Sequence, residues 1–275
     1  MDQLIDFDGL FEEKLAQYMK QNAGKYTEKQ WEAIIPKLYC KFGNIRIAKI
    51  GNTPIGYYRE MTDSRLLTLL TRHIREGVPV SDFLRRELES RGNPDGLLTL
   101  LNSGDSRLVA FAVDLIGGDP KAFPAYFELL SQNVDESVKD PIVELLKAGA
   151  DSAKELALAY YERGIERELM LEILSRVTSR DARVLQTLLG AFRSGDDFPL
   201  HSAYLASYGD EAALPVLLET IDRDDINYLE FRELKCAIEA LGGEYSRERD
   251  FTQDAYYLEI SEQSALSADP EKTAG

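Results

Sequence analysis

The sequence has few of the features that define several common protein classes. It contains 2 cysteines in 275 residues, Cys40 and Cys236, which is too few for a disulfide-bonded scaffold. Its longest apolar runs, such as Leu108 to Val113, are far shorter than the roughly 20 residues of a membrane-spanning helix. The first residues, MDQLIDFDGLF, are acidic where a secretory signal would be basic. These features predict a cytoplasmic protein that has no membrane partner.

Positive charge is also scarce. The 32 lysine and arginine residues are outnumbered by 48 aspartate and glutamate residues, which gives a net charge of −16. An acidic surface repels phosphate backbones, so we expect no nucleic-acid partner. The imbalance is confined to one part of the chain, because residues 1–62 hold 8 acids and 9 bases and residues 63–275 hold 40 acids and 23 bases. This change in charge indicates a boundary near residue 62.

The motifs of nucleotide-binding proteins and of serine hydrolases are missing. The sequence contains no G-x-x-x-x-G-K-[S/T], no G-x-G-x-x-G and no G-x-S-x-G. The residues that suit zinc stand singly in four distant segments: Cys40, His73, His201 and Cys236. A structural zinc site needs ligands at close spacing. The sequence therefore predicts no metal and no cofactor, and it favours a protein that is not an enzyme.

These four residues also have predicted environments. Both cysteines fall on apolar helical stripes and are expected to be buried. His73 lies between two arginines and is expected at the surface. His201 has Tyr204 one helical turn after it, and a catalytic role for this histidine would need an acid or a nucleophile nearby. The alternative is an ordinary helix residue, either hydrogen-bonded or exposed.

Residues 1–62 contain signals for two helices and one strand pair. Apolar residues at steps of three and four predict an amphipathic helix over 4–21. A capping-box pattern at 27–30 opens a second helix, in which the spacing of Trp31 predicts core packing. Alternating residues around a Gly-Asn turn predict a short β-hairpin over 45–58. We expect this unit to cover the apolar flank of the helices that follow it.

From residue 94 onward the sequence repeats with a period near 30. Helix-ending residues recur at intervals of 29, 31, 31 and 30: Gly104, Asn133, Gly164, Gly195 and Asp225. Polar helix starts follow them: Asp105, Asp135, Glu166, Asp196 and Asn227. A second series ends the partner helices: Gly118, Gly149, Thr178, Gly209 and Gly243. Each repeat is therefore predicted to be two antiparallel helices, and stacked neighbours would bury the apolar stripe of each helix.

This pattern resembles the HEAT-like (armadillo-type) helical repeat family over about residues 63–243. The resemblance implies a mainly α fold, an α-α superhelix (solenoid) of about six helical pairs. A small N-terminal helix-helix-β-hairpin unit at 1–62 precedes this array, and we assign that unit to no family. Residues 244–275 form a C-terminal extension, predicted to be disordered after about residue 261.

The resemblance also shapes the predicted function. Such arrays are mostly protein-binding scaffolds, and their second helices usually line the concave face. Acidic pairs one turn apart stand on two of these helices, and we predict a partner-binding role for them: Asp140, Glu144, Glu168 and Glu172. The leading hypothesis is a non-catalytic scaffold that binds a basic or mixed-charge protein or peptide. The alternative is an enzyme of the HEAT-like DNA-glycosylase or lyase type with a pocket on the concave face. A third possibility is that the N-terminal unit carries the function.

Overall fold

The computed structural model describes residues 3–92, 94–132 and 134–260. The chain forms two compact units, Met1–Ile142 and Val143–Gly275. The structure is mainly helical, as predicted, and it contains no β-strand among these described residues. Two earlier predictions lie outside the described residues: the helix stop at Asn133 and the disorder after about residue 261.

The N-terminal unit contains eight α-helices and the first half of a ninth within its described residues. They are α1 (Phe7–Gln21), α2 (Glu28–Phe42), α3 (Pro54–Arg59), α4 (Asp63–Glu76), α5 (Asp82–Arg91), α6 (Pro94–Leu101), α7 (Ser106–Ile116), α8 (Phe123–Leu130) and α9 (Glu136–Ala148). The unit boundary falls inside α9.

The C-terminal unit begins with the second half of α9. Its helices are α10 (Ala150–Glu162), α11 (Arg167–Leu174), α12 (Ala182–Ser194), α13 (Phe198–Tyr208), α14 (Leu214–Ile221) and α15 (Tyr228–Ala240). Residues 255–260 are also helical.

The predicted β-hairpin over 45–58 is wrong. Only Ile47 and Asn52 pair in antiparallel fashion, as an isolated bridge, and the second predicted strand is helix α3. The side chain of Thr53 accepts a hydrogen bond from the backbone N–H of Gly56 at 2.9 Å, and Pro54 occupies the first turn. Proline suits that position because its missing N–H would have no helical partner there. These helix-start signals override the alternation of apolar residues.

The predicted helix ends are partly right. Gly195 and Gly209 end α12 and α13 in the left-handed conformation that glycine adopts without strain. At two other stops the left-handed residue is one position earlier than predicted, at Gly117 and Gly242. The predicted start at Asp196 is also one residue early, because Asp197 caps α13. The predicted stops at Thr178 and Asp225 are less accurate, because α11 ends at Leu174 and α14 at Ile221, four residues earlier in each case.

Aromatic rings join the first two helices to α5. The ring of Phe83 stacks on Tyr39 with centroids 4.5 Å apart and an interplanar angle of 5°. Phe7 and Phe42 approach the same ring at 6.4 and 6.2 Å. Phe83 is 6% exposed, so this cluster forms a buried contact between residues 1–62 and the helices that follow.

The guanidinium of Arg91, at the end of α5, holds the chain that follows α3. It donates hydrogen bonds to the carbonyls of Arg59 at 3.1 Å and Met61 at 2.7 Å, and to a carboxylate oxygen of Asp63 at 2.7 Å. Arginine suits this role because its planar fork presents several donors in fixed directions. The link between α3 and α4 is thereby fixed to α5.

Consecutive repeats in the C-terminal unit are joined by hydrogen bonds between residues about one period apart. Asp151 accepts from the backbone N–H of Ser179 at 2.9 Å and from the hydroxyl of Thr178 at 2.5 Å. The guanidinium of Arg180 donates to the carbonyl of Tyr208 at 2.9 Å, again 28 residues away. The repeat in the sequence therefore corresponds to a repeated contact in the fold.

The contact of Asp151 predicts a pH dependence of stability. Hydrogen bonds from Thr178 and Ser179 hold the pKa of Asp151 well below its ordinary value of 3.8. A lowered pKa means that the ionised side chain stabilises the folded state above pH 3.8, and that this stabilisation is lost as the pH falls below it. We expect Asp151→Asn to lower the free energy of unfolding by about 1 kcal/mol at pH 7. The loss should shrink toward about pH 3 in urea unfolding curves.

Glu162→Gln is the matched control for Asp151→Asn, since Glu162 is an exposed acid on the same helix, α10. It should leave the free energy of unfolding unchanged at both pH values. A loss for Asp151→Asn that is equally large at low pH would show that the carboxylate charge plays no part.

Candidate functional site

Three of the four acids predicted to bind a partner lie in the C-terminal unit. Glu144 is in the last turns of α9, and Glu168 and Glu172 lie one turn apart on α11. All three therefore stand on helices, as their spacing in the sequence predicts. Asp140, the fourth, is an exposed residue of α9 that belongs to the N-terminal unit.

A lysine that was not predicted joins two of these acids. The ammonium of Lys147 lies 2.7 Å from Oε1 of Glu144 and 2.7 Å from Oε1 of Glu172. These hydrogen bonds raise the pKa of Lys147 above its ordinary value. The lysine side chain is only 14% exposed, whereas that of Glu144 is 71% exposed. Lys147 thus connects α9 to α11 and leaves the outer faces of both carboxylates in solvent.

The remaining acid contacts a buried histidine. His201, on α13, is 4% exposed, and its Nε2 lies 3.3 Å from Oε2 of Glu168. A carboxylate only accepts hydrogen bonds, so this contact places a proton on Nε2. Nδ1 is buried and has no partner among the described residues. The structure therefore places an acid, Glu168, beside His201.

Tyr204 completes this group. Its ring is 6.2 Å from that of His201. Burial raises the pKa of Tyr204 far above its ordinary value, and the negative charge of Glu168 adds to the effect. The tyrosine is thus a neutral donor at physiological pH. Glu168 is oriented by the buried His201 of α13 but remains 53% exposed itself.

We call this group the acidic strip: Glu144, Glu168 and Glu172, with Lys147, His201 and Tyr204. Its three carboxylates are countered by one lysine, which leaves an excess of negative charge when His201 is neutral. Carboxylates that reach solvent and are held in place by less exposed partners can accept hydrogen bonds from cationic side chains without first becoming ordered. The geometry fits recognition of lysine or arginine.

The other singled-out residues occupy environments that differ from those predicted. His73 was expected at the surface but is fully buried, and its Nδ1 lies 2.9 Å from the carbonyl of Pro79. It faces inward because it lies on the apolar side of α4, whose last turn it helps to close. Cys40 and Cys236 were expected to be buried, and both are exposed. Trp31, predicted to lie in the core, is only half-buried.

The described part of the chain has no group of three or more histidine, cysteine, aspartate or glutamate side chains that could hold a metal ion. Within that part, every helix is too short or too polar to cross a membrane. Comparison with family models, curated proteins and solved structures finds no match to this chain.

Proposed function

We propose that this protein is a non-catalytic interaction scaffold, and that its acidic strip binds a basic or mixed-charge polypeptide. One observation carries the proposal: three carboxylates that reach solvent, those of Glu144, Glu168 and Glu172, are oriented by Lys147 and His201 and are countered by a single lysine. A solenoid of stacked HEAT-like pairs is part of the proposal. Its support is the match between the sequence period and the spacing of the bonds that Asp151 and Arg180 make to the next repeat.

The charge of the array favours a polypeptide over a nucleic acid. Affinity for nucleic acid comes largely from cations that meet phosphates. Residues 63–275 carry 40 acids against 23 bases. The same field accelerates encounter with a cationic partner. It also opposes the alternative of a DNA-directed enzyme, which would need a basic groove.

A titration with defined probes tests the proposal. The probes are a fluorescein-labelled peptide of alternating lysine and serine, the same peptide with glutamate in place of lysine, and a labelled DNA duplex. We expect anisotropy to show saturable binding of the lysine peptide only, and weaker binding as salt is added. Equal binding of both peptides, or tight binding of the duplex at physiological salt, would contradict the proposal.

Removing the bridging lysine should strengthen this binding. Lys147→Met retains the apolar stem but removes the cation that competes for Glu144 and Glu172. A gain of about 0.5–1 kcal/mol, the scale of one surface ion pair, corresponds to roughly two- to fivefold higher affinity for the lysine peptide. Anisotropy titration measures the change.

Lys121→Met is the control for the bridging lysine, because it makes the same change in net charge at an exposed residue of the N-terminal unit. It should leave the affinity unchanged. An equal gain in both variants would mean that net charge, and not the strip, attracts the peptide.

A further inference from the structure

A second concave surface lies in the N-terminal unit, between α1, α2 and the start of α5. We call it the N-terminal groove. It has a volume of 480 Å³, and three apolar side chains form part of its lining: Phe11 and Leu15 from α1, and Ile35 from α2. Phe11 is buried, while Leu15 and Ile35 are each half-exposed. The groove is therefore an apolar surface open to solvent.

Acidic residues flank this apolar lining. Asp8 and Glu12 come from α1, and Asp82 is the first residue of α5. Asp8 is half-buried and accepts a hydrogen bond from the hydroxyl of Tyr39 at 2.5 Å. Burial raises the pKa of Asp8, and the nearby charges of Asp82 and Glu12 add to the effect. Asp8, Glu12 and Asp82 thus place three carboxylates around the apolar lining.

Only one cation lies among the described residues that line the groove. It is Arg86, whose guanidinium is 3.4 Å from Asp82 and 61% exposed. An exposed pair at this distance is weak and easily exchanged for another partner. The groove therefore offers an apolar centre with an acidic edge, which complements an apolar stripe flanked by lysine or arginine.

The walls of the groove are fixed before any ligand arrives. Tyr39 stacks on Phe83, and Phe11 meets Tyr39 edge-on at 4.9 Å. The apolar face continues along α1 beyond the groove to Tyr18 and Met19, which are 37% and 36% exposed. From Phe11 to Met19 this face covers just over two helical turns, a length suited to one short helix.

We propose that the N-terminal groove docks an amphipathic helix of a partner protein, with the apolar face of that helix on Phe11, Leu15 and Ile35 and its lysine or arginine side chains at Asp8, Glu12 and Asp82. A partner of this charge is favoured over a second copy of the chain, because a second groove would bring a second set of acids against the first. The site is separate from the acidic strip and does not depend on the function proposed for it.

The exposed cysteines provide a local readout of docking. Cys40 lines the groove, whereas Cys236 lies on α15 in the other unit. The probe is a synthetic helical peptide with leucine at steps of three and four and lysine on both flanks of that stripe. A matched peptide has glutamate in place of lysine. The rate of thiol modification by a disulfide reagent is measured in two variants. Cys236→Ser leaves only Cys40 to react, and Cys40→Ser leaves only Cys236.

We expect the helical peptide with lysine flanks to slow modification of Cys40 at least fivefold and to leave the rate at Cys236 unchanged. The matched helical peptide with glutamate flanks should protect neither cysteine. Leu15→Gln should reduce the affinity at least tenfold. The double substitution Asp8→Asn with Glu12→Gln retains the acceptor for Tyr39 and should reduce the affinity three- to tenfold.

Several results would overturn this proposal: no protection of Cys40, equal protection by both peptides, or unchanged affinity in the variants. Protection of Cys40 that rises with protein concentration alone would also overturn it, in favour of a second copy. Repeating the titration with Glu144, Glu168 and Glu172 changed to glutamine separates the two sites. The helical peptide with lysine flanks should still protect Cys40 when the acidic strip has lost its charge.

Discussion

Phe83→Ala is expected to lower the free energy of unfolding by about 3–5 kcal/mol, the usual cost of removing a buried phenylalanine ring. The ring is 6% exposed and contacts three aromatic side chains from α1 and α2. Removing the ring takes away these contacts, while the hydrogen bonds from Arg91 to the chain after α3 remain. A cavity should therefore remain between residues 1–62 and the first repeat helices.

Urea unfolding followed by circular dichroism measures this loss, and limited proteolysis shows where it acts. We expect faster cleavage within residues 1–62 in the variant. Phe83→Leu keeps part of the apolar volume and should lose less, while Ile45→Ala alters a side chain that is 42% exposed and should lose almost nothing. A loss below about 1 kcal/mol for Phe83→Ala would mean that the N-terminal helices do not cap the array.

The helices could be predicted because their apolar spacing and their end signals agree. At residues 45–58 these signals conflict. Alternating apolar residues favour strands, but Thr53 and Pro54 start a helix. The side chain of Thr53 caps that helix, and Pro54 suits its first turn because proline has no N–H that would need a partner there. A period-2 pattern over a few residues has no partner strand to stabilise it here. Local helix-start chemistry was therefore the better guide.

The acids of the candidate site could be found from helical spacing, but their partners could not. Glu168 and His201 are 33 residues apart, and Lys147 and Glu172 are 25 apart. Neither distance is the repeat period, so no sequence rule pairs them. The buried state of His73 was missed for a similar reason: flanking arginines indicate a surface, while the helical phase of the histidine itself points inward. Phase within the repeat is more informative than the nearest neighbours.

Reversing the charge of all four predicted acids should have the largest effect on binding. The variant carries lysine in place of Asp140, Glu144, Glu168 and Glu172. Its new positive charges repel a cationic peptide that the four carboxylates attract. Electrostatic steering changes association rates by about 10- to 1,000-fold, and we expect a decrease of at least tenfold for the lysine peptide. The salt dependence of the rate should also flatten. Stopped-flow fluorescence measures both quantities.

Two comparisons make this result specific to the strip. Lys147 would face new lysines in the reversed variant, so a set with glutamine and asparagine at the same positions keeps the shape without the repulsion and should show a smaller decrease.

A second set reverses four exposed acids on α8, α10 and α14 and on the turn before α14: Glu128, Glu162, Glu211 and Glu219. It makes the same change in net charge, so any long-range effect appears in both reversed sets. If both slow association equally, the overall field attracts the peptide and these four acids form no site. A much larger decrease for the first set would assign recognition to α9 and α11, which carry the four predicted acids.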